Sequence, residues 1–211
     1  MERYLRMITI NTRYHLLPHI LASLLMIALT PIMMGTEHLK QEQVAKIIEC
    51  YTSLMGILLL IPIFIPEMDR DIYDLIRSKK ESITRLHLIR TLESIFIIVL
   101  TTMLLFVVLS REDCVFSWSA MIYTLMANAV FLGGMGIFAY SLSSQIVFAY
   151  MMPLIYYVSN YGMGEEKLGM LYLFSMQSNH FVNKHYLIGV GLLFMTSGIV
   201  LEKYKWVRKK G

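Results

Sequence analysis

Apolar residues in this chain come in runs rather than in alternation. The runs lie at about residues 16–35, 50–65, 91–109, 118–140, 146–159 and 186–201, with shorter polar stretches between them. Several approach the roughly 20 residues that carry a helix across hydrocarbon. The pattern predicts an all-α, polytopic integral membrane protein: six transmembrane helices forming a single transmembrane domain over residues 1–211. Residues 160–185 break the regularity. Their apolar part, 168–176, is too short to cross and has polar flanks, so it reads as a re-entrant or interfacial element before the last span.

Two polar segments carry a helical pattern of their own. In residues 1–14, Tyr4, Met7, Ile8 and Tyr14 share one side of a helical wheel, while Glu2, Arg3, Arg6 and Arg13 share the other. This predicts an amphipathic helix lying in the interface, with Pro18 marking a bend into the first span. Residues 66–90, PEMDRDIYDLIRSKKESITRLHLIR, form the longest charged stretch. Met68, Ile72, Leu75 and Ile76 follow the spacing of one helix face, with Tyr73 beside them. Arg70, Asp74 and Arg77 lie opposite. The segment therefore reads as a short helix in water that presents an apolar ridge, either to a partner or to lipid headgroups. Glu37–Glu49 is read as a polar connector.

Composition narrows the class. Hydrophobic residues make up 56% of the chain and charged residues 16%, with mean hydropathy +0.58. That leaves no room for a sizeable soluble domain. The first apolar run is longer than a signal-peptide core and has no small-residue cleavage site after it. The net charge of +4 needs no nucleic-acid partner, because loop charges that orient the spans account for it. With both termini in the cytoplasm, fourteen of the nineteen Lys and Arg residues fall on that side. Residues 67–90 are then cytoplasmic, and the basic tail KYKWVRKK lies inside.

Few residues suggest chemistry. His15 and His19 are four apart on one helix face, but no matching ligand cluster appears at that depth in another span, so no metal is assigned. The seventeen methionines show no repeated ligand spacing and read as gap-filling or lipid-facing. Cys50 and Cys114 fall near the outer ends of spans, as packed thiols or a disulfide. His180 and His185 fit no protease pattern, and Glu165–Glu166 has no partner set for intramembrane hydrolysis. There is no G-x-S-x-G and no G-x-x-x-x-G-K-[ST], so no catalytic residue is assigned and ATP is not expected to bind here. Ala129, Gly133 and Gly136 form a small-residue stripe suited to close helix packing. Glu67 and Glu93, near the apolar runs, need partners. Their nearest basic residues along a helix are Arg70 and Arg90.

The layout, with PEMDRDIYDLIRSKKESITRLHLIRTLES as its closest local match, resembles the membrane subunit of ABC transporters of the type-2, exporter-like family. The resemblance covers essentially the full length. It implies an N-terminal connecting helix, a coupling helix beginning at Glu67, and short re-entrant helices before the last span. It implies that Glu67, Met68, Ile72, Tyr73, Leu75, Ile76 and Arg77 meet a separate ABC ATPase subunit, which binds ATP and Mg; no cofactor is expected in the chain itself. It further implies pairing with a second permease chain, a bacterial cell membrane, and a peptide, lipid-like or drug-like cargo. Two other classes stay open: a membrane-embedded binding or immunity protein whose charged loop holds a regulator, and an intramembrane enzyme.

Overall fold

The computed structural model describes residues 8–35, 39–69, 71, 72, 74, 76, 83–111, 114, 116–178 and 182–208. Among them the secondary structure is helical, with no strand. Five helices are long and apolar enough to cross a membrane: Ile8–Ile32, Gln41–Met68, Ile83–Arg111, Trp118–Ser143 and Asn183–Arg208.

The first of these opens with a π-helical turn, Thr12–Leu16, and continues as α1 (Leu17–Met34). Pro18 is the second residue of α1, directly after the π-helical turn, and its missing N–H removes a donor from the continuous helix there. Gly35, at φ +67°, ends α1, and its N–H reaches Pro31 O at 3.1 Å.

The second spanning stretch is segmented. It comprises α2 (Gln41–Cys50), a 3₁₀ turn (Thr52–Leu54), α3 (Met55–Leu60) and a 3₁₀ segment (Ile61–Met68). Each change has a local cause. The hydroxyls of Thr52 and Ser53 bond back to Ile48 O at 2.7 and 3.1 Å, a geometry that bends helices. Pro62 and Pro66 remove donors from the last segment. The connector expected at 37–49 is thus replaced over Gln41–Cys50 by helix. Val44, Ala45, Ile47 and Ile48 are buried there at helical spacing. The stretch was too mixed to score as a span, yet amphipathic enough to pack.

The third is α4 (Ile83–Arg111), which begins eight residues before the expected span at 91. Next come α5 (Trp118–Ser143) and α6 (Ile146–Leu168), joined by the tight turn at Ser144 and Gln145. Ser144, at φ +55°, closes α5 through its N–H to Tyr140 O at 2.7 Å. Within α6 the backbone breaks at Gly164, φ +70° and ψ 176°. Two 3₁₀ turns, Gly169–Leu171 and Ser175–Ser178, then lead to α7 (Val182–Arg208). Leu173, Phe174, Ser175 and Met176 between them are buried, so this stretch is packed into the bundle.

The core lies around the Gln41–Met68 stretch and α5. Of their most apolar stretches 83% and 72% are buried, against 22% for Ile8–Ile32. Backbones approach closely along α5. A Cβ on Gly191 of α7 would stand 2.7 Å from Phe131 Cα, and one on Gly56 of α3 would strike the backbone of Ala129. Small residues permit this contact, and dispersion rather than water exclusion holds helices together in lipid. The outer face of α4 carries Leu88, Leu92, Phe96, Leu100 and Leu104, every fourth residue, all exposed. An apolar stripe outside a packed core faces lipid, so the chain is an all-helical membrane protein.

Candidate functional site

Two clusters of buried polar side chains stand out, one at each end of the Gln41–Met68 stretch. Glu49 and Glu67 mark them. At 1.5 Å per residue they are separated by roughly 27 Å, about the thickness of bilayer hydrocarbon.

The Glu67 cluster starts from a backbone defect. In a 3₁₀ segment, Ile63 O would accept from residue 66, which is a proline with no N–H. Arg90 of α4 supplies the missing donor, its Nη1 lying 2.9 Å from Ile63 O. The same guanidinium pairs with Glu67, and both side chains are about nine-tenths buried. His87, one turn earlier on α4, puts Nε2 3.6 Å from the other Glu67 oxygen. Its ring meets Phe64 edge-on at 5.0 Å, and Phe64 stacks on Tyr140 at 4.1 Å. One turn beyond Arg90, Glu93 faces the first helix. It accepts from Asn11 Nδ2 at 2.8 Å and from the Thr12 hydroxyl, at the head of the π-helical turn. The first turns of α4 therefore tie the ends of two other spanning helices together through charge-assisted bonds.

A cavity of about 320 Å³ adjoins this cluster. Its lining includes Phe64, Glu67, His87, Tyr140, Ser144, Glu202, Lys205 and Trp206. Lys205 Nζ donates to Ser144 Oγ at 2.7 Å and lies 3.6 Å from Glu202.

The Glu49 cluster is drier. Glu49 and Lys184 are fully buried, with Nζ 2.6 Å from Oε1. The ammonium also donates to Asn128 Oδ1 at 3.1 Å and to Leu173 O. Asn128 donates in turn to Ser53 Oγ and Leu173 O, at 3.0 and 3.1 Å. Met176 N–H reaches Glu49 at 2.8 Å, and Leu173 N–H reaches Asn160 Oδ1 at 2.9 Å. The irregular stretch between α6 and α7 thus has its backbone polar groups satisfied by side chains from α2, α5, α6 and α7, as buried backbone in a membrane protein requires.

The residues singled out in the sequence fall as follows. Arg3, Arg6, Tyr73, Leu75 and Arg77 lie outside the described residues. Arg13 is exposed, with its guanidinium 5.8 Å from the centre of the Tyr14 ring. Met68 is exposed and Ile72 half-buried, whereas Ile76 packs on Ile83, Leu86 and Trp206. Gly133 faces Leu60 and Gly56, and Gly136 faces Ile61 and Ala149. Cys50 and Cys114 are both thiols. Among the described residues no three ligands converge to hold a metal, and His15 and His19 gather no third group.

The local pairing read for Glu93 is corrected, while Arg70, read as the partner of Glu67, lies outside the described residues. Arg90 goes to Glu67 rather than Glu93, and Glu93 takes Asn11 and Thr12 instead. Helix direction decides this, since Arg90 and Glu93 leave α4 towards different neighbours. His87, Glu49 and Lys184 were not singled out. Lys184 stands three and seven residues before Leu187 and Gly191, on the face of α7 that packs, and that spacing was the available clue.

No protein-family model, no curated protein and no solved structure matches this chain.

Proposed function

We propose that the chain is the membrane-spanning subunit of an ABC transporter of the type-2, exporter-like kind, working as a pair and driven by separate ATPase subunits. In this reading α6 is a sixth span. The two-residue turn after α5 sends it back antiparallel, and the part before the break at Gly164, residues 146–163, covers roughly 27 Å. Six spans place both termini in the cytoplasm, with the Glu67 end inside and the Glu49 end outside.

One observation carries the reading: both ends of the charged segment are wired into the bundle. Its entry, Glu67, is held by Arg90 and His87, and its exit helix, α4, holds the first span through Glu93. A push on a segment so tied is transmitted to the ends of the first three spans rather than absorbed by a loose loop. A nucleotide cycle shifts such a bundle between inward- and outward-facing states only if the partner contacts the segment differently in each. Ile76 packs within the chain and Met68 is exposed, so in this reading Met68 and Ile72, continued by Leu75, form the ridge for the partner.

The test is co-purification. The chain is tagged, solubilised from its native membrane in mild detergent, and its partners are identified. A P-loop ATPase in stoichiometric amount, lost from Leu75→Asp while that variant still inserts, is the expected result. Absence of any ATPase in several detergents would overturn the reading and favour a regulatory or immunity protein.

A further inference from the structure

We propose that the cavity at the Glu67 end binds a zwitterionic ammonium-phosphate group, the head of an aminophospholipid. The proposal needs only the membrane character of the chain and does not depend on an ATPase partner.

The first observation is a histidine whose nearest polar neighbour, Glu67 Oε2 at 3.6 Å, lies beyond hydrogen-bond reach. His87 is 2% exposed and lines the cavity, yet neither ring nitrogen makes a hydrogen bond among the described residues. Oε2 of Glu67, beside it, is in the same condition. A buried imidazole next to a carboxylate oxygen, facing open volume, is a costly arrangement unless a ligand serves both. A primary ammonium does so. It has three donors, and it can give one to the carboxylate and one to the unprotonated ring nitrogen. The Phe64 and Tyr140 rings beside it suit the carbon stem of such a ligand.

The second observation concerns charge. Glu67 and Glu202 face the cavity with Lys205, while Arg90 holds Glu67 from behind. These four charges cancel. A ligand of one sign gains little net attraction from such walls, but a zwitterion with its poles the right way round gains at both ends. The carboxylate of Glu67 takes the ammonium. Lys205, already fixed on Ser144 Oγ at 2.7 Å, offers its remaining protons to a phosphate. The volume of about 320 Å³ is enough for a small headgroup.

The third observation is position. Met68 lines the cavity and is 53% exposed, and Tyr204, next to the lining residue Lys205 in sequence, is 69% exposed. Exposed apolar groups around a polar cavity at a helix-bundle end match a ligand with a polar head and apolar tails. This favours a lipid over a soluble zwitterion.

Native mass spectrometry of the purified chain, released from nanodiscs of defined composition, counts the lipids that stay bound. Retention of phosphatidylethanolamine about tenfold above phosphatidylcholine is expected, because a trimethylated head cannot donate to Glu67 or His87. His87→Phe is expected to reduce that preference about tenfold, whereas Lys205→Gln, which removes the donor to the phosphate common to both lipids, is expected to reduce retention of both about tenfold. Lys205→Gln lies at the rim and keeps the Glu67–Arg90 pair, so it reports binding even if His87→Phe fails to fold. Soluble phosphoethanolamine is titrated as competitor. Displacement only at great excess supports the lipid, whereas displacement at equal concentration overturns it in favour of a soluble zwitterion. Equal retention of ethanolamine, choline and glycerol headgroups, unchanged in both variants, would mean an adventitious annular lipid only and would overturn the site altogether.

Discussion

Removing Lys184 alone should be among the most damaging single changes this protein can suffer, and removing it with Glu49 should be far milder. The ammonium is fully buried and its three protons are all placed, on Glu49, Asn128 and Leu173 O. In Lys184→Met the buried carboxylate keeps the Met176 N–H but loses its counter-charge. Leaving one partner of a buried pair uncompensated costs about 3–5 kcal/mol. Glu49→Gln retains an oxygen for Met176 N–H and leaves the lysine two neutral acceptors. Its cost should be smaller, about 1–3 kcal/mol. In the double variant Lys184→Met with Glu49→Gln no charge remains and the amide oxygen still takes the Met176 N–H, so most of the loss should be recovered. Unfolding free energies measured by steric trapping in bicelles would complete the double-mutant cycle, with a coupling energy larger than the cost of Glu49→Gln alone expected. Single variants within about 0.5 kcal/mol of the parent, and a double that merely adds them, would show that the pair is wet and would refute the reasoning.

Two further predictions bear on packing and orientation. Gly191→Ala should destabilise by about 1–3 kcal/mol, because the new methyl meets Phe131 Cα at 2.7 Å. Gly189→Ala on the same helix meets nothing within 4 Å and should be neutral or slightly stabilising in the same assay. Cysteine introduced at Ser78 should react with an impermeant maleimide only in inside-out vesicles. Labelling in intact cells would reverse the orientation drawn from the Lys and Arg distribution.

The hydrophobic runs revealed the spanning helices because hydropathy is a local property, and a run such as Ile95–Leu109 has no other use for its side chains. Tertiary satisfaction is not local. Lys184 sits in a polar run, QSNHFVNKH, that reads as a loop until its acceptors are seen to come from Glu49 and Asn128 on other helices. The charged residues of the Glu37–Glu49 stretch lower its average hydropathy to that of a connector, though Val44, Ala45, Ile47 and Ile48 lie on a single helix face. The importance of Glu67 was legible, since an acid after a proline at the end of an apolar run needs a counter-charge. The identity of that counter-charge was not. Arg90 stands 23 residues further along the chain and is drawn in by the carbonyl that Pro66 frees. The Ala129, Gly133 and Gly136 stripe was visible as composition, but only the fold places Gly56 and Leu60 against it.

The pair of Glu49 and Lys184 also sets a timetable for making the protein. Chains emerge from the ribosome amino-terminus first, so the acid in α2 reaches the bilayer well before the base in α7 has been synthesised. Through that interval an ionised or protonated carboxyl waits at the edge of the hydrocarbon without its mate. A helix made late neutralises one made early. Completion of this bundle is thereby tied to the synthesis of α7. A ribosome that stalls before residue 184 leaves behind a polar scar within an otherwise greasy surface, the kind of mark by which membrane quality control can tell an unfinished chain from a finished one.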